Sequence, residues 1–467
     1  MRLLDISSRQ HFNANMAAPR RFHVRKGLDL PISGAPVQIV QSGPPVTHVG
    51  LVTRSFVGLK PRPVVTDGDR VRRGQPLFVD RRTPELRFPS PGAGRVRAVH
   101  RGERRHVLSV VVDLDEGVGA QQPYEAFTPS ADASATSVRA LLLESGLWTA
   151  LRARPFGHAP APDTSPHALF VTAVDSHPLA PRVDVALAGR EEDFARGLNV
   201  LGKLTEGPVY VCRAPGSTLG DGLPRVTVAE FSGKHPAGTV GYHIHALDPV
   251  HRKKVVWHVG AQDVARIGHL FARGELDTSL VIAIGGPMVT RPGLVRTRLG
   301  APVHALTERE LAPGDARIIS GSVLHGDRCD DDVQGYLGRF HQQVSVLEEG
   351  RRRDFLGWMA PGWNVFSALP AFFSALAPNK RFAFDTNTRG GRRAMVPIGA
   401  YERVMPMDLM PTHLLRALAV GDLEWAEELG ALELEEEDVA LCSFVCPGKN
   451  DYGSALRRVL DRIQQEG

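Results

Sequence analysis

Four cysteines in 467 residues (Cys212, Cys329, Cys442 and Cys446) are too few and too scattered for a disulfide framework, and they suit a reducing cytoplasm. Long apolar runs are also missing. The longest, such as Leu280–Ile284, stop far short of the ~20 residues that a membrane-crossing helix needs, so no transmembrane span is predicted. Met1 to Arg20 hold no apolar core followed by a small-residue cleavage site, so they do not read as a secretory signal. Met16-Ala-Ala-Pro suits a start as well as Met1 does, and residues 1–20 are expected to be a disordered extension. No Walker loop, serine-nucleophile elbow, paired-histidine metalloprotease helix or dinucleotide-binding glycine fingerprint occurs.

What is present describes a folded chain of several domains. Hydrophobic residues make up 42% and charged residues 23%, a globular balance, and the length implies roughly three to four domains. The net charge of +5 is unevenly spread: arginine crowds the N-terminal quarter, while Asp422 to Asp438 is strongly acidic. A basic half raises nucleic acid as a partner, but no helix-turn-helix or RNA-recognition signature accompanies it. The basic face is read as solvated or lying against an anionic membrane, with no nucleic-acid partner.

Local patterning divides the chain. From 21 to 118, short strands alternate with glycine and proline. Val64 to Phe78 and Pro89 to Val96 there resemble a biotinyl/lipoyl-carrier sandwich, whose cofactor sits on a lysine at a hairpin tip. The corresponding tip, Asp80 to Arg87, has no lysine. From 119 to 256 a βαβ rhythm (strand Ala168–Val174, helix Glu191–Leu204, strand Pro208–Arg213) predicts a parallel, Rossmann-like layer. Residues 257–335, opening with helix Ala261–Gly274, read as a β-grasp module of the SLBB type, and 336–467 as a helical domain.

Several segments are candidates for chemistry. His243 and His245 in Gly233 to His245 alternate as on one face of a strand, where a metal or a polar head group could sit; a solvent-facing strand is the favoured reading. No further ligands follow at zinc spacing, so no metal is predicted. Cys442 and Cys446 are either a redox pair or two reduced, part-buried thiols, the second being favoured. The acidic run Glu433–Asp438 reads as a solvated helix start. Phe366 to Ala377, the most apolar stretch of the second half, is either a docking surface for a membrane partner or part of the core.

Two motifs look like cofactor sites that have lost their residues. Ser145 to Phe156 resembles the glycine-rich loop of the flavin- and NADH-binding component of respiratory complex I. Trp148, Thr149, Leu151, Arg152 and Arg154 stand in that stretch, and their side chains would fill the cavity; a plain helix C-terminus is the alternative reading. Two ferredoxin-type frames follow. Met395, Ile398, Tyr401 and Met405 hold the cluster-ligand places of the first. Glu436 and Val439, with the surviving Cys442 and Cys446, hold those of the second.

Longer strings carry a more specific resemblance. Lys26 to Pro36, Glu144 to Arg152, His235 to Gly238, Leu337 to Ser345, Ala394 to Gly399, Tyr401 to Pro406 and Phe444 to Lys449 are similar to the NqrA family, one component of the Na⁺-translocating NADH:quinone reductase. The related component of the Rnf complex keeps the cluster cysteines that this chain lacks. The resemblance implies a peripheral subunit, without catalytic activity on its own, on the cytoplasmic side of a bacterial inner membrane. The whole complex oxidises NADH, reduces ubiquinone and exports Na⁺. Flavins and iron–sulfur centres are then expected on partner subunits, one of them membrane-embedded, with ubiquinone as the substrate of the complex. A quinone head needs hydrogen-bond donors and apolar walls. Lys26, His235, His243 and His245 are the candidate donors, and Gly27, Pro31 and Gly34 the candidate backbone contacts. A cofactor-free scaffold that never meets quinone is the alternative.

Overall fold

In the computed structural model, which describes residues 19–117, 119–129, 133–329, 331–351 and 359–466, the chain builds two six-stranded sheets, a two-sheet sandwich and a set of C-terminal helices. Residues 1–18 of the expected extension lie outside the described residues.

The sandwich sets a four-stranded sheet (His48–Val52, Val107–Leu114, Gly94–Arg101, Arg70–Val71) beside a three-stranded one (Pro61–Pro63, Pro76–Asp80, Arg87–Pro89). Phe78 and Phe88 are cross-strand partners, and their rings stack at 4.8 Å in its core. At the Asp80–Arg87 tip, the Asp80 carboxylate accepts the Arg82 N–H at 2.9 Å.

The first six-stranded sheet runs Arg20–Val24, Val226–Gly233, Val209–Arg213, Leu169–Ala173, Val256–Gly260, Arg152–Arg154. All neighbours are parallel except the last pair. Covered on both faces, its central strands are mostly apolar, interrupted by Thr172, Arg213 and His258. Helices Glu191–Leu201 and Ala261–Arg273 pack on it and on one another. The core is continuous with that of the sandwich, and Trp148 and Trp257, both fully buried, meet edge-to-face at 5.3 Å. The second six-stranded sheet runs Asp327–Arg328, Ala316–Ser320, Gln343–Glu348, Ser279–Gly285, Gly293–Arg298, Val37–Ser42.

Four expectations about strands and helices need correction. Residues 21–42 add no strand to the sandwich: Arg20–Val24 and Val37–Ser42 are edge strands of the two larger sheets. Helix Ala261–Arg273 does not open the β-grasp module. It follows a strand of the α/β sheet and packs back onto that sheet, because its Val264, Ile267 and Phe271 face that core. Strand Gln343–Glu348 is not part of the helical domain but the centre of the second sheet. Finally, His243 and His245 lie on a helix, Val240–Leu247, rather than a strand.

The C-terminal helices (Ala400–Val404, Pro411–Val420, Leu423–Glu428, Ala440–Val445, Tyr452–Glu466) start and stop on local signals. Pro411 begins one in the first turn, and Gly421 ends it in the left-handed conformation at φ +75°. Their core takes in most of the ferredoxin-frame positions. Tyr401, Met405, Val439, Cys442 and Cys446 are all buried there, and the Tyr401 hydroxyl lies 2.8 Å from that of Tyr452 and 3.1 Å from Cys446 Sγ. Ile398 is exposed, Met395 is half-buried, and Glu436 pairs with Arg457 at 2.6 Å. Cys442 and Cys446 are both free and fully buried rather than part-buried.

Candidate functional site

The order of the α/β sheet locates a crevice before any side chain is considered. From Leu169–Ala173 the chain steps outward in one direction to Val209–Arg213 and Val226–Gly233. It then returns to place Val256–Gly260 on the opposite side of Leu169–Ala173. Between those two central strands lies a switch point, where the segments leaving their carboxyl ends diverge and open sheets bind ligands. A cavity of about 130 Å³ sits there. Asp175, His177, Gln262 and Asp263 line it from the α/β side, His325 and His341 from the second sheet, and Glu437 from the helical domain.

The polar groups are tightly linked. The Asp175 carboxylate lies 2.8 Å from His177 Nδ1 and accepts the His177 backbone N–H at the same distance. His177 Nε2 then faces His325 Nε2 at 3.0 Å. Burial opposes a charge on His177, but Asp175 outweighs it and the His177 pKa is raised. His325 goes the other way, lowered to about 4 by burial and by the charge of His177. On the far wall, Asp263 is bridged by Arg266 at 2.5 Å and by both terminal nitrogens of Arg339 at 2.9 and 3.0 Å.

Behind this cavity the acidic run is drawn inward, with Glu435 and Asp438 buried and Glu433, Glu436 and Glu437 half-buried, not solvated as its composition suggests. Arg154, fully enclosed, donates to the Glu433 carbonyl at 2.8 Å and to Asp438 Oδ2 at 2.9 Å, and its Nε lies 2.9 Å from Glu435 Oε1. Arg152 adds a contact to Glu435 at 3.5 Å and lines the cavity. Burial tends to raise the Glu435 pKa, but Arg154 pulls it well below the carboxylate range. Gly241 is required beside this cluster, since a Cβ there would stand 2.1 Å from Asp438 Oδ1.

The predicted site residues fall in three places. His235 adjoins the cavity: its ring is 4.8 Å from that of His177, and its Nδ1 lies 3.0 Å from Ser176 Oγ. Gly27 lies against it, with Leu28 N–H donating to the His235 carbonyl at 2.9 Å, so a Cβ on Gly27 would sit 2.1 Å from that oxygen. Gly34 and Pro31 continue along the same loop, where Gly34 meets Gly286 and the Pro31 carbonyl accepts from Phe382 at 2.8 Å. Lys26 is exposed. His243 and His245 are elsewhere: His243 Nε2 is 2.9 Å from the Ala237 carbonyl, and His245 bridges Glu433 and the Asp408 N–H at 2.8 and 2.9 Å. In the Ser145–Phe156 stretch, Trp148, Thr149, Leu151 and Arg154 are buried in the chain's own packing.

Asp175, His177, His325 and Glu437 were not anticipated. One signal existed: Asp175-Ser-His177 directly follows the predicted strand Ala168–Val174, and loops at that end of a parallel strand are where sites form. His325 and Glu437 have no comparable local mark.

Burial also fixes an acid response. His243 and His258 are both lowered to about 4, first by burial and, for His258, also by Arg152. Because the folded pKa lies below the ordinary 6.5, the unfolded chain takes up protons first as pH falls. The stability that these two rings contribute is therefore complete above pH 6.5 and declines toward pH 4. Urea midpoints should fall more steeply across that window for the intact chain than for a His243→Gln, His258→Gln variant; equal slopes would mean that these rings are solvated.

Residues 22–115 match the family model for the NqrA N-terminal barrel-sandwich hybrid domain, 133–276 that for the NqrA second alpha/beta domain, and 281–331 that for the NQRA C-terminal domain, an SLBB domain. Relatives that are NqrA components of a Na(+)-translocating NADH-quinone reductase match over nearly their whole length. The one from Yersinia pseudotuberculosis is 50% identical over 448 residues, covering 95% of this chain and 99% of the relative. Those from Photorhabdus laumondii and Hahella chejuensis are each 51% identical with the same coverage.

Proposed function

Since the chain belongs to the NqrA family of the Na⁺-translocating NADH-quinone reductase, and is thus one component of an oxidoreductase that moves sodium, we propose that it serves the ubiquinone-reducing end of that complex. The observation that carries this reading is the loop from Lys26 to Pro36. It runs along an aromatic wall: Ser33 N–H donates to the Phe382 carbonyl at 2.9 Å, and Phe382, Phe384 and Phe444 cluster around Phe366 at 5.6–6.3 Å. Such a wall suits a quinone ring and the start of its tail, while the free Lys26 ammonium and the neighbouring His235 supply hydrogen-bond donors. The other loop amides are partly committed, Gly27 N–H to Arg403 and Leu28 N–H to His235.

The chain works without a redox group of its own in this reading. Its support is that the flavin-loop places are filled by Trp148, Leu151 and Arg154, and that cluster places in the ferredoxin-type frame are filled by Tyr401, Met405 and Val439. Flavins and iron–sulfur centres then belong to partner subunits. Among the described residues no helix is long and apolar enough to cross a membrane. We place the chain peripherally, on the cytoplasmic side of the inner membrane. Phe373 and Leu376, 62% and 79% exposed, with Trp363 and Met359, offer an apolar face for a membrane-embedded partner. That face also favours the second reading, a scaffold with no quinone contact.

Titration of the purified chain and of the intact complex with a short-tailed ubiquinone separates the two. Under the first reading the colourless chain binds quinone, and Lys26→Ala with His235→Ala weakens binding about tenfold or more, as loss of one or two hydrogen bonds would. Unchanged quinone affinity with failed assembly leaves the scaffold. Flavin or iron–sulfur absorbance in the purified chain would overturn both.

A further inference from the structure

We propose that His177, His325 and Glu437 are the ligands of a divalent transition-metal site of the zinc type, at the point where the α/β sheet, the second sheet and the helical domain meet. One ligand atom from each of the three residues can be chosen so that all lie within 4.8 Å of one another. The two imidazole Nε2 atoms face each other at 3.0 Å. Two nitrogens bound tetrahedrally to zinc at about 2.0–2.1 Å stand about 3.3 Å apart, so a small movement of either ring admits the ion.

The surroundings are those that such a site needs. Asp175, 2.8 Å from His177 Nδ1, holds the proton on that nitrogen and leaves the Nε2 lone pair directed at the shared point. The charge balance also asks for a cation. Three carboxylates (Glu435, Glu437 and Asp438) gather around two guanidinium groups, Arg152 and Arg154, and a fourth, Asp175, has only the His177 ring as its ion-pair partner among the described residues. The adjoining cavity of about 130 Å³ leaves room for the fourth position to hold water or a small anionic or carbonyl ligand. Two imidazoles and one carboxylate are the donor set of open zinc sites, and they suit iron(II) or cobalt(II) as well. Because the three ligands come from three different parts of the chain, the ion also fastens those parts together.

The test is metal binding by the full chain, and it does not involve quinone, so its outcome is separate from that of the proposed function. Protein freed of metal by a chelator is titrated with zinc by calorimetry and with cobalt(II) by visible absorption. One ion per chain is expected, with the strong visible bands of a four- or five-coordinate cobalt site and a raised melting temperature. His177→Ala and His325→Ala should abolish the bands and the stoichiometric binding. Asp175→Asn should weaken affinity about 10–100-fold while keeping one ion per chain. Glu437→Gln, which preserves shape, covers the case in which an alanine variant does not fold, and should also lose the ion. The proposal is overturned if the full chain binds no zinc. It is equally overturned if zinc is bound with the same affinity by the Glu437→Gln and Asp175→Asn variants, because the ion then sits elsewhere and the two histidines merely share a proton.

Discussion

Arg154→Ala is expected to destabilise the chain by about 3–5 kcal/mol, read as a fall in the urea midpoint, because it leaves buried carboxylates without their partner. Arg154 has no exposed surface; its guanidinium stands 2.9 Å from Glu435 and Asp438 and 3.7 Å from Glu437. Without it, Arg152, 3.5 Å from Glu435, and the more distant Arg457 are left to balance them. A carboxylate held below its ordinary 4.5 contributes stability above that pH and loses it as pH falls through its lowered value. The deficit of the variant should therefore be full at neutral pH and narrow in acid, where the carboxylates accept protons. The double change Arg154→Met with Glu435→Gln should cost clearly less than the sum of its parts, since a charge and its partner leave together. A single-variant deficit under about 1 kcal/mol, the range of a surface pair, would show that water reaches the cluster.

Gly268→Ala should destabilise by about 3 kcal/mol, and Gly197→Ala by a similar amount, through overpacking rather than lost contacts. These glycines face each other where helices Glu191–Leu201 and Ala261–Arg273 cross. A Cβ on Gly268 would stand 1.8 Å from the Asp193 carbonyl oxygen, and one on Gly197 2.0 Å from that of Val264. Both obstacles are main chain, so relief requires the helices to separate. In an exposed helix the same change would be slightly favourable, because alanine is the better helix former. Gly391→Ala, with nothing within 4 Å of the added carbon, is the control and should leave the midpoint unchanged. Two helix variants no worse than that control would mean that the helices do not touch as described.

What could be read in advance was what short-range pattern determines. The strand Leu169–Ala173, the helix Glu191–Leu201 and the strand Val209–Arg213 each follow from their own apolar spacing, and each lies within a few residues of its expected bounds. The segment around His243 misled because Tyr242-His-Ile-His245 alternates as a strand would. In the helix, His243 instead turns inward, its ring 4.2 Å from that of Phe231, and Ile244 is fully buried beside it. The acidic run misled for another reason. Its burial depends on Arg154, which meets Asp438 across 284 positions of sequence, and no local window contains both. His177 and His325, separated by 148 positions, are joined by the same kind of distant pairing. The family resemblance escaped this limit because its strings are contiguous.

The placement of the first two strands sets a timetable for synthesis. Arg20–Val24 pairs with Val226–Gly233, and Arg21 finds Glu230 only 209 residues later. At about 5–20 residues per second, that interval is roughly 10–40 s on the ribosome. Val37–Ser42 waits longer still, for Gly293–Arg298. During this interval the sandwich has all its strands by Leu114 and can close, while the segment that precedes it hangs unpaired. Each larger sheet likewise forms with a bare edge, open to another nascent chain, until its amino-terminal strand arrives. The first described residues to be made are thus among the last to be seated, and their docking ends the exposure of both edges.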